Sequence, residues 1–294
     1  MKSNLQEKTV ILDVVFHQPV LTRQDNSKRV DTDGNQRWFK ITKEILKSTA
    51  YTKLSNIATD TQEWLRKRAI PNPFIKRGSY QIPVSILQEV LNYLDLIEIT
   101  HRAQVNVFIS EYDECKRKAQ EELKDSYNEK NYPTTDYMRS GCWIERQILE
   151  YSTPSENKVG SVISQIALNE AKKRMNDATQ QVVYALREQF RDLVSHLAEQ
   201  LGTQADGKKK RLHESVVNSF NEWVDLFSKR NVMGDTEMQE LVNLSKNILQ
   251  GKSVTLLRDD EAIRSSIRES MNSVKNQLDG LLIDRPARRI RFED

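Results

Sequence analysis

Residues 77–119 read RGSYQIPVSILQEVLNYLDLIEITHRAQVNVFISEYDECKRKA. Gly78 to Pro83 predicts a turn that opens a helix, because proline suits a first helical turn, where its missing N–H is not needed. Ser85 and Gln88 have capping-box spacing. Val84, Leu91, Val105, Tyr112 and Ala119 then fall on one heptad position, and Leu87, Leu94, His101, Phe108 and Cys115 on the other. That register predicts a helix over about 83–127 that supercoils left-handedly against a partner helix. Glu98 and His101, three residues apart, interrupt the seam. They read first as a coiled-coil polar layer that fixes register at a cost in stability. A solvated gap in the seam and, last, a catalytic pair are the other readings.

Composition agrees with a helical chain. Only 37% of the 294 residues are hydrophobic and 30% are charged, with 9 Gly and 7 Pro. Such a lean apolar share suits amphipathic helices, each of which needs one apolar stripe. The length suffices for a core without disulfides or metals. Net charge is +3, from 45 basic and 42 acidic residues. The molecule as a whole is therefore no polyelectrolyte, and affinity for nucleic acid must come from a local patch. Cys115 and Cys142 have no metal spacing and form no disulfide framework; Cys115, on the seam, reads as a structural thiol. Met1 to Lys8 is polar and unlike a signal peptide, and no run nears the ~18 apolar residues of a membrane span. A soluble, cytoplasmic protein is expected.

Outward from the long helix, Thr9–Phe16 (TVILDVVF) is rich in β-branched residues and predicts a strand. Asp33-Gly34 marks a turn. A helix is predicted from Thr42, with Ile41, Ile45, Leu54, Ile57, Trp64 and Leu65 as its stripe, ending before Pro71. Thr134 to Asp136 offers caps for a shorter helix through Glu150. Residues 151–160 (YSTPSENKVG) read as a linker. A second long helix, about 160–201, carries Val162, Ile166, Met175, Ala178, Val182, Leu186, Phe190, Leu193, Leu197 and Leu201. Further helices begin at Lys208–Arg211, at Asp235 or Thr236, and at Asp259–Glu261, where acidic residues suit a helix N-terminus. Gly251 is placed for a C-cap. The expected class is mainly α: an elongated helical bundle or coiled coil with a small N-terminal β element. The expected segments are a β element at 1–40, a helical region at 41–150, the linker, a helical region at 161–283 and a basic tail at 284–294. The two long helices are expected to pair with each other or with a second copy.

No chemical signature emerges. Gly251-Lys252-Ser253 resembles the end of a phosphate loop, but the motif's first glycine position holds Lys246 and no strand precedes it. His196 and Glu199 share a helix face without a second pair to complete a bundle metal site. No nucleophile elbow or activated cysteine is visible. Neither a cofactor nor a metal is expected, and no enzyme. Two basic elements remain as partner or nucleic-acid contacts: Lys208, Lys209, Lys210 and Arg211, and the tail residues Arg285, Arg288, Arg289 and Arg291. In an extended tail Ile290 and Phe292 share one face and Arg289 and Arg291 the other. That pattern suits pairing with the Thr9–Phe16 strand, docking on a partner's sheet edge, or phosphate contact.

Three blocks together resemble the domain-of-unknown-function 3150 family of phages, integrative elements and bacteria. They are Thr9–Phe16, Arg77–Pro83 leading to Phe108–Asp113, and Phe220–Phe227 through Gly234-Asp235 and Leu256–Asp260. Ser79 stands where a second glycine beside Gly78 is usual. The resemblance implies a non-enzymatic adaptor or scaffold working with a MoxR-type AAA+ ATPase and a von Willebrand A-domain protein, and it transfers no active-site residue. A nucleic-acid-binding coiled-coil protein is the alternative, and a homo-oligomer is compatible with both.

Overall fold

A computed structural model describes residues 4–24, 41–72, 75–76, 78–150, 161–204 and 207–282. Among these residues the chain is mainly α, with nine α-helices and five short strands. It divides into two units, neither contiguous in sequence. Unit one comprises Met1–Ile11, Arg66–Leu87 and Leu149–Asp294; unit two comprises Leu12–Leu65 and Gln88–Ile148. The expected contiguous segments do not follow this division. The linker 151–160 and the tail 284–294 lie outside the described residues.

The β element also extends beyond residues 1–40. Strand β1 (Thr9–His17) follows the one-turn helix α1 (Asn4–Lys8). The three-stranded sheet has the order β4-β1-β5, with β4 at Ser79–Pro83 and β5 at Trp143–Leu149. β2 (Thr22–Gln24) pairs antiparallel with β3 (Thr42–Glu44), Arg23 opposite Lys43. The predicted Gly78–Pro83 turn is thus a strand preceded by a tight bend. Gly78 has φ +92°, a conformation glycine reaches without steric penalty.

In unit two, α2 (Thr49–Arg68) starts later than the predicted Thr42. Residues 42–44 are spent on strand pairing, and the Ser48 hydroxyl accepts from Tyr51 N–H at 3.1 Å, capping the helix. α3 (Leu87–Leu123) is the predicted long helix, entered through a 3₁₀ turn at Val84–Ile86. From Leu94 its buried face follows the predicted seam: Leu94, His101, Val105, Phe108, Tyr112 and Ala119. Before Leu94 the face is Ile86 and Val90 rather than Val84, Leu87 and Leu91. A straight helix drifts relative to a strict 3.5-residue repeat, and spacings of four carry the stripe onto those residues. Leu21, Ile45, Leu46, Ala50, Leu54, Tyr132, Met138 and Cys142 cover this face within the unit. α4 (Thr135–Ser140), capped by Thr134, ends at Gly141. The predicted helix to Glu150 is therefore replaced by β5, whose Trp143, Ile144 and Ile148 suit a strand.

Unit one is a helical bundle. α5 (Ser161–Gln200) lies along α9 (Glu261–Leu282). α6 (Glu214–Arg230), α7 (Thr236–Leu249) and α8 (Val254–Asp259) complete it. Its core joins Val182, Leu186, Phe190 and Leu197 of α5 to Phe220, Val224 and Phe227 of α6 and Met271, Val274 and Leu278 of α9. The long helices α3 and α5 thus fall almost wholly in different units, and each has its stripe covered within its own. Asp235, Ser253 and Asp260 accept from the N–H groups of Met238, Leu256 and Ile263, which would otherwise lack a partner. A buried chain of polar groups holds the start of the unit: Asn72 donates to Gln81, Gln81 to Thr9, and Thr9 to the Leu5 carbonyl.

Candidate functional site

Glu98 and His101 do not form a joint polar layer. His101 is 3% exposed. Its Nε2 has no hydrogen-bond partner, and its ring meets Phe16 edge-on at 5.9 Å. Burial pushes its pKa down, and the Glu98 charge only partly offsets that. Glu98 stands at the surface, 3.1 Å from Arg102 and 3.8 Å from Arg146. One helical turn separates a buried neutral ring from a solvated ion pair, so the two share no proton chemistry.

The basic run Lys208–Arg211 does not begin a helix. It is extended, with Thr203 bridged to Lys209, and α6 starts at Glu214. The cause is the feature that organises this corner, Arg264 of α9, 2% exposed. Its Nε donates to the Leu201 carbonyl at 2.8 Å, and its Nη2 to the carbonyls of Gln200 at 2.8 Å and Lys210 at 2.7 Å. One guanidinium therefore caps the C-terminal end of α5, where a cation suits the dipole, and holds the Lys210 carbonyl of the segment that follows. The lysines are engaged as well. Lys209 pairs with Glu261 at 2.6 Å and Lys210 with Glu199 at 2.7 Å. Arg211 is exposed. The tail residues Arg285, Arg288, Arg289 and Arg291 lie outside the described residues.

Two other arginines are drawn into the bundle. Arg187 grips Asp235 with two bonds of 2.7 and 2.9 Å and donates to the Leu281 carbonyl at 3.1 Å, tying α5 to α7 and α9. Arg230 is buried beside Trp223, with Gln189 as its acceptor. Burial lowers its pKa to about 10. Sequence reading missed all three. A signal existed: Arg264, Ile267, Met271, Val274 and Leu278 are spaced as one buried stripe, so the arginine stands on a core position.

Unit two contains a cleft of about 410 Å³ that sequence reading did not foresee. Residues distant in sequence build it: Pro19, Val20 and Arg23 near β2, Tyr112 of α3, Tyr132 and Pro133, Tyr137 of α4, and Trp143 of β5. Trp143 stacks on His17 at 4.0 Å, and His17 Nε2 lies 3.0 Å from Glu145. Tyr51, Tyr112 and Tyr132 donate to the carbonyls of Pro19, Pro133 and Ile45. Burial, with smaller contributions from Asp113, Tyr132 and Glu129, pushes the Tyr112 phenol up to about 12. Burial pushes the Cys142 thiol up to about 11. These hydroxyls and this thiol stay protonated near neutrality and are not activated as nucleophiles. The cleft offers aromatic faces, prolines and one exposed arginine.

The remaining motifs are structural. Gly251, with φ +73°, follows the C-cap Gln250 at the end of α7, in the left-handed conformation that glycine adopts there. The Ser253 hydroxyl caps α8, and Lys246 pairs with Asp225 at 2.7 Å. His196 is exposed and Glu199 faces Lys210. No group of three or more His, Cys, Asp or Glu side chains is arranged to hold a metal among the described residues. No helix among them is long and apolar enough to cross a membrane. No family model, no curated protein and no solved structure matches this chain.

Proposed function

We propose that this chain is a non-enzymatic adaptor or scaffold acting in the cytoplasm. Its partner, as the resemblance implies, is a MoxR-type AAA+ ATPase with a von Willebrand A-domain protein of a phage or mobile element. One observation carries the adaptor reading. Aromatic and apolar side chains stand exposed around a cleft built within one unit. Val20, Tyr137 and Trp143 at the cleft are all exposed. Aromatic residues in a preformed concave site are the usual anchors of protein contacts. The nucleic-acid alternative has less support, because Lys209 and Lys210 already have carboxylate partners.

The test is co-purification of the full chain with a MoxR-type AAA+ ATPase, the partner that the resemblance implies. Association is expected, with loss on changing Tyr137→Glu together with Trp143→Glu and on deleting residues 285–294. An ATPase that never associates sinks the partner assignment. Binding to DNA that weakens steeply with salt would favour the alternative instead.

A further inference from the structure

Most polar groups lining the cleft of unit two are already spent. Gln18 donates to the Leu54 carbonyl and accepts from the Ser55 hydroxyl, each at 3.2 Å. Tyr112 and Tyr132 give their hydroxyls to main-chain carbonyls, and His17 is held by Glu145. Among the described residues, the Asn131 amide and the Tyr137 hydroxyl of the lining have no partner, and Arg23 has no carboxylate. Arg23 is nevertheless held in place. Its Nη1 donates to the carbonyls of Val20 at 3.1 Å and Thr22 at 3.0 Å, which leaves Nε and Nη2 open. No Asp or Glu among the described residues lines the cleft. We propose that the cleft takes a short extended segment of a partner protein, in which an acidic side chain stands beside a bulky apolar one.

Charge complementarity selects the acid. A positioned guanidinium with two open donors and no carboxylate beside it is suited to grip one, through charge-assisted bonds. The walls select the apolar neighbour, since Val20, Tyr137 and Trp143 stand 62%, 63% and 46% exposed there. The Asn131 amide has both donors and an acceptor, as a main-chain peptide group does. At about 410 Å³ the cleft has the size that encloses a small ligand, so it receives a few residues and not the face of a folded domain. Single-stranded nucleic acid also stacks on aromatic rings. It brings a phosphate at every nucleotide, however, and the lining has one arginine to meet them, while the Glu145 carboxylate stands 3.0 Å from the lining residue His17. This assignment rests on the cleft being the adaptor's partner site and adds what the partner presents to it.

Fluorescence anisotropy of short labelled peptides with the full chain tests it. The peptides are Gly-Ser throughout except for a central Phe-Glu-Phe, Phe-Gln-Phe, Phe-Lys-Phe or Gly-Glu-Gly. Phe-Glu-Phe is expected to bind, and each of the others at least about tenfold more weakly. Tyr137→Ala is expected to weaken Phe-Glu-Phe by a similar factor. Arg23→Glu is expected to reverse the preference towards Phe-Lys-Phe, which a misfolded variant cannot do. Absence of peptide binding overturns the proposal, as does a preference that Arg23→Glu leaves unreversed. An oligothymidylate that binds more tightly than Phe-Glu-Phe and is lost with Arg23→Glu overturns it in favour of nucleic acid. A chain that binds Phe-Glu-Phe only after residues 285–294 are deleted overturns it in favour of its own Phe292-Glu293-Asp294. No ATPase enters the measurement, so failure of the acidic segment and failure of the ATPase assignment are read separately.

Discussion

Both units must satisfy backbone carbonyls withdrawn from water, and they recruit different donors for it. In unit one the work falls to arginine: Arg264 alone serves the carbonyls of Gln200, Leu201 and Lys210. In unit two it is shared among single donors, three of them tyrosines, each hydroxyl serving one carbonyl: Tyr51 for Pro19, Tyr112 for Pro133, Tyr132 for Ile45, beside Gln18 for Leu54 and Gln104 for Ala50. A guanidinium has five donors in a fixed fork, a phenol one. The first arrangement concentrates the consequences of a single substitution and the second distributes them.

The sharpest way to break the comparison is Arg264→Met, which keeps the stem and removes the fork. Three carbonyls lose their donor at once. At about 1–3 kcal/mol for each buried group left unsatisfied, less what water recovers as the corner loosens, the expected loss is about 3–5 kcal/mol. Urea unfolding measures it. Hydrogen exchange at residues 196–212 is expected to rise first, with unit two unaffected. A loss below about 1 kcal/mol would mean that water replaces the guanidinium, and the concentration of load in unit one would be an illusion. The tyrosine counterpart is Tyr132→Phe, which removes one bond and leaves the ring in place. Its expected cost is about 1–2 kcal/mol, confined to exchange in unit two.

His101→Leu acts in the opposite direction. A buried ring with an unpartnered Nε2 is replaced by an apolar group of similar bulk. The expected gain is about 1 kcal/mol at neutral pH, the usual worth of relieving one unsatisfied buried group. The pH dependence sharpens the test. Burial lowers the His101 pKa in the folded state, so between the two pKa values the unfolded chain binds the proton and the folded chain does not. Stability therefore rises with pH in that window. The contribution is complete above the unfolded value of about 6.5 and is lost as pH falls from there towards the folded pKa. His101→Leu is expected to flatten this acid limb. A limb that survives in the variant belongs to another group.

How much of this could be read in advance depends on the range of the interaction. The α3 seam from Leu94 to Ala119 was legible because it is a local periodicity. His101 was found as a polar residue on that seam, although its partner was misassigned, since a lateral neighbour such as Phe16 leaves no trace in helical spacing. β5 was not legible. Trp143–Leu149 becomes a strand through a place in the sheet beside β1, more than a hundred residues away in sequence. The aromatic cleft is non-local in the same way. Arg264 could have been found: the rule that exposed His101 as a polar group at a core position applies equally to it. The basic run was misread as the start of a helix because the residue that holds it extended lies fifty residues later.

The smallest expected effect concerns backbone conformation, where the units differ again. Every positive-φ residue of unit one among the described residues is glycine: Gly78, Gly207, Gly234 and Gly251. Unit two has Lys124 in that role, at φ +46°, just past the end of α3. A left-handed conformation crowds Cβ against the carbonyl and costs an L-residue about 1 kcal/mol or more, whereas glycine has no such penalty. The turn is held regardless, with Tyr127 N–H donating to the Lys124 carbonyl at 2.9 Å. Lys124→Gly keeps that bond, which is main-chain. It relieves the crowding, less the extra entropy glycine carries in the unfolded chain, for an expected net gain of about 0.5–1 kcal/mol. Thermal unfolding measures it, with Lys124→Ala as the control that removes the side chain but keeps Cβ and is expected to gain nothing. Equal gains from both would locate the effect in the lysine's charge or length. The end of α3 would then not be strained, and the two units would not differ in how they turn their helices.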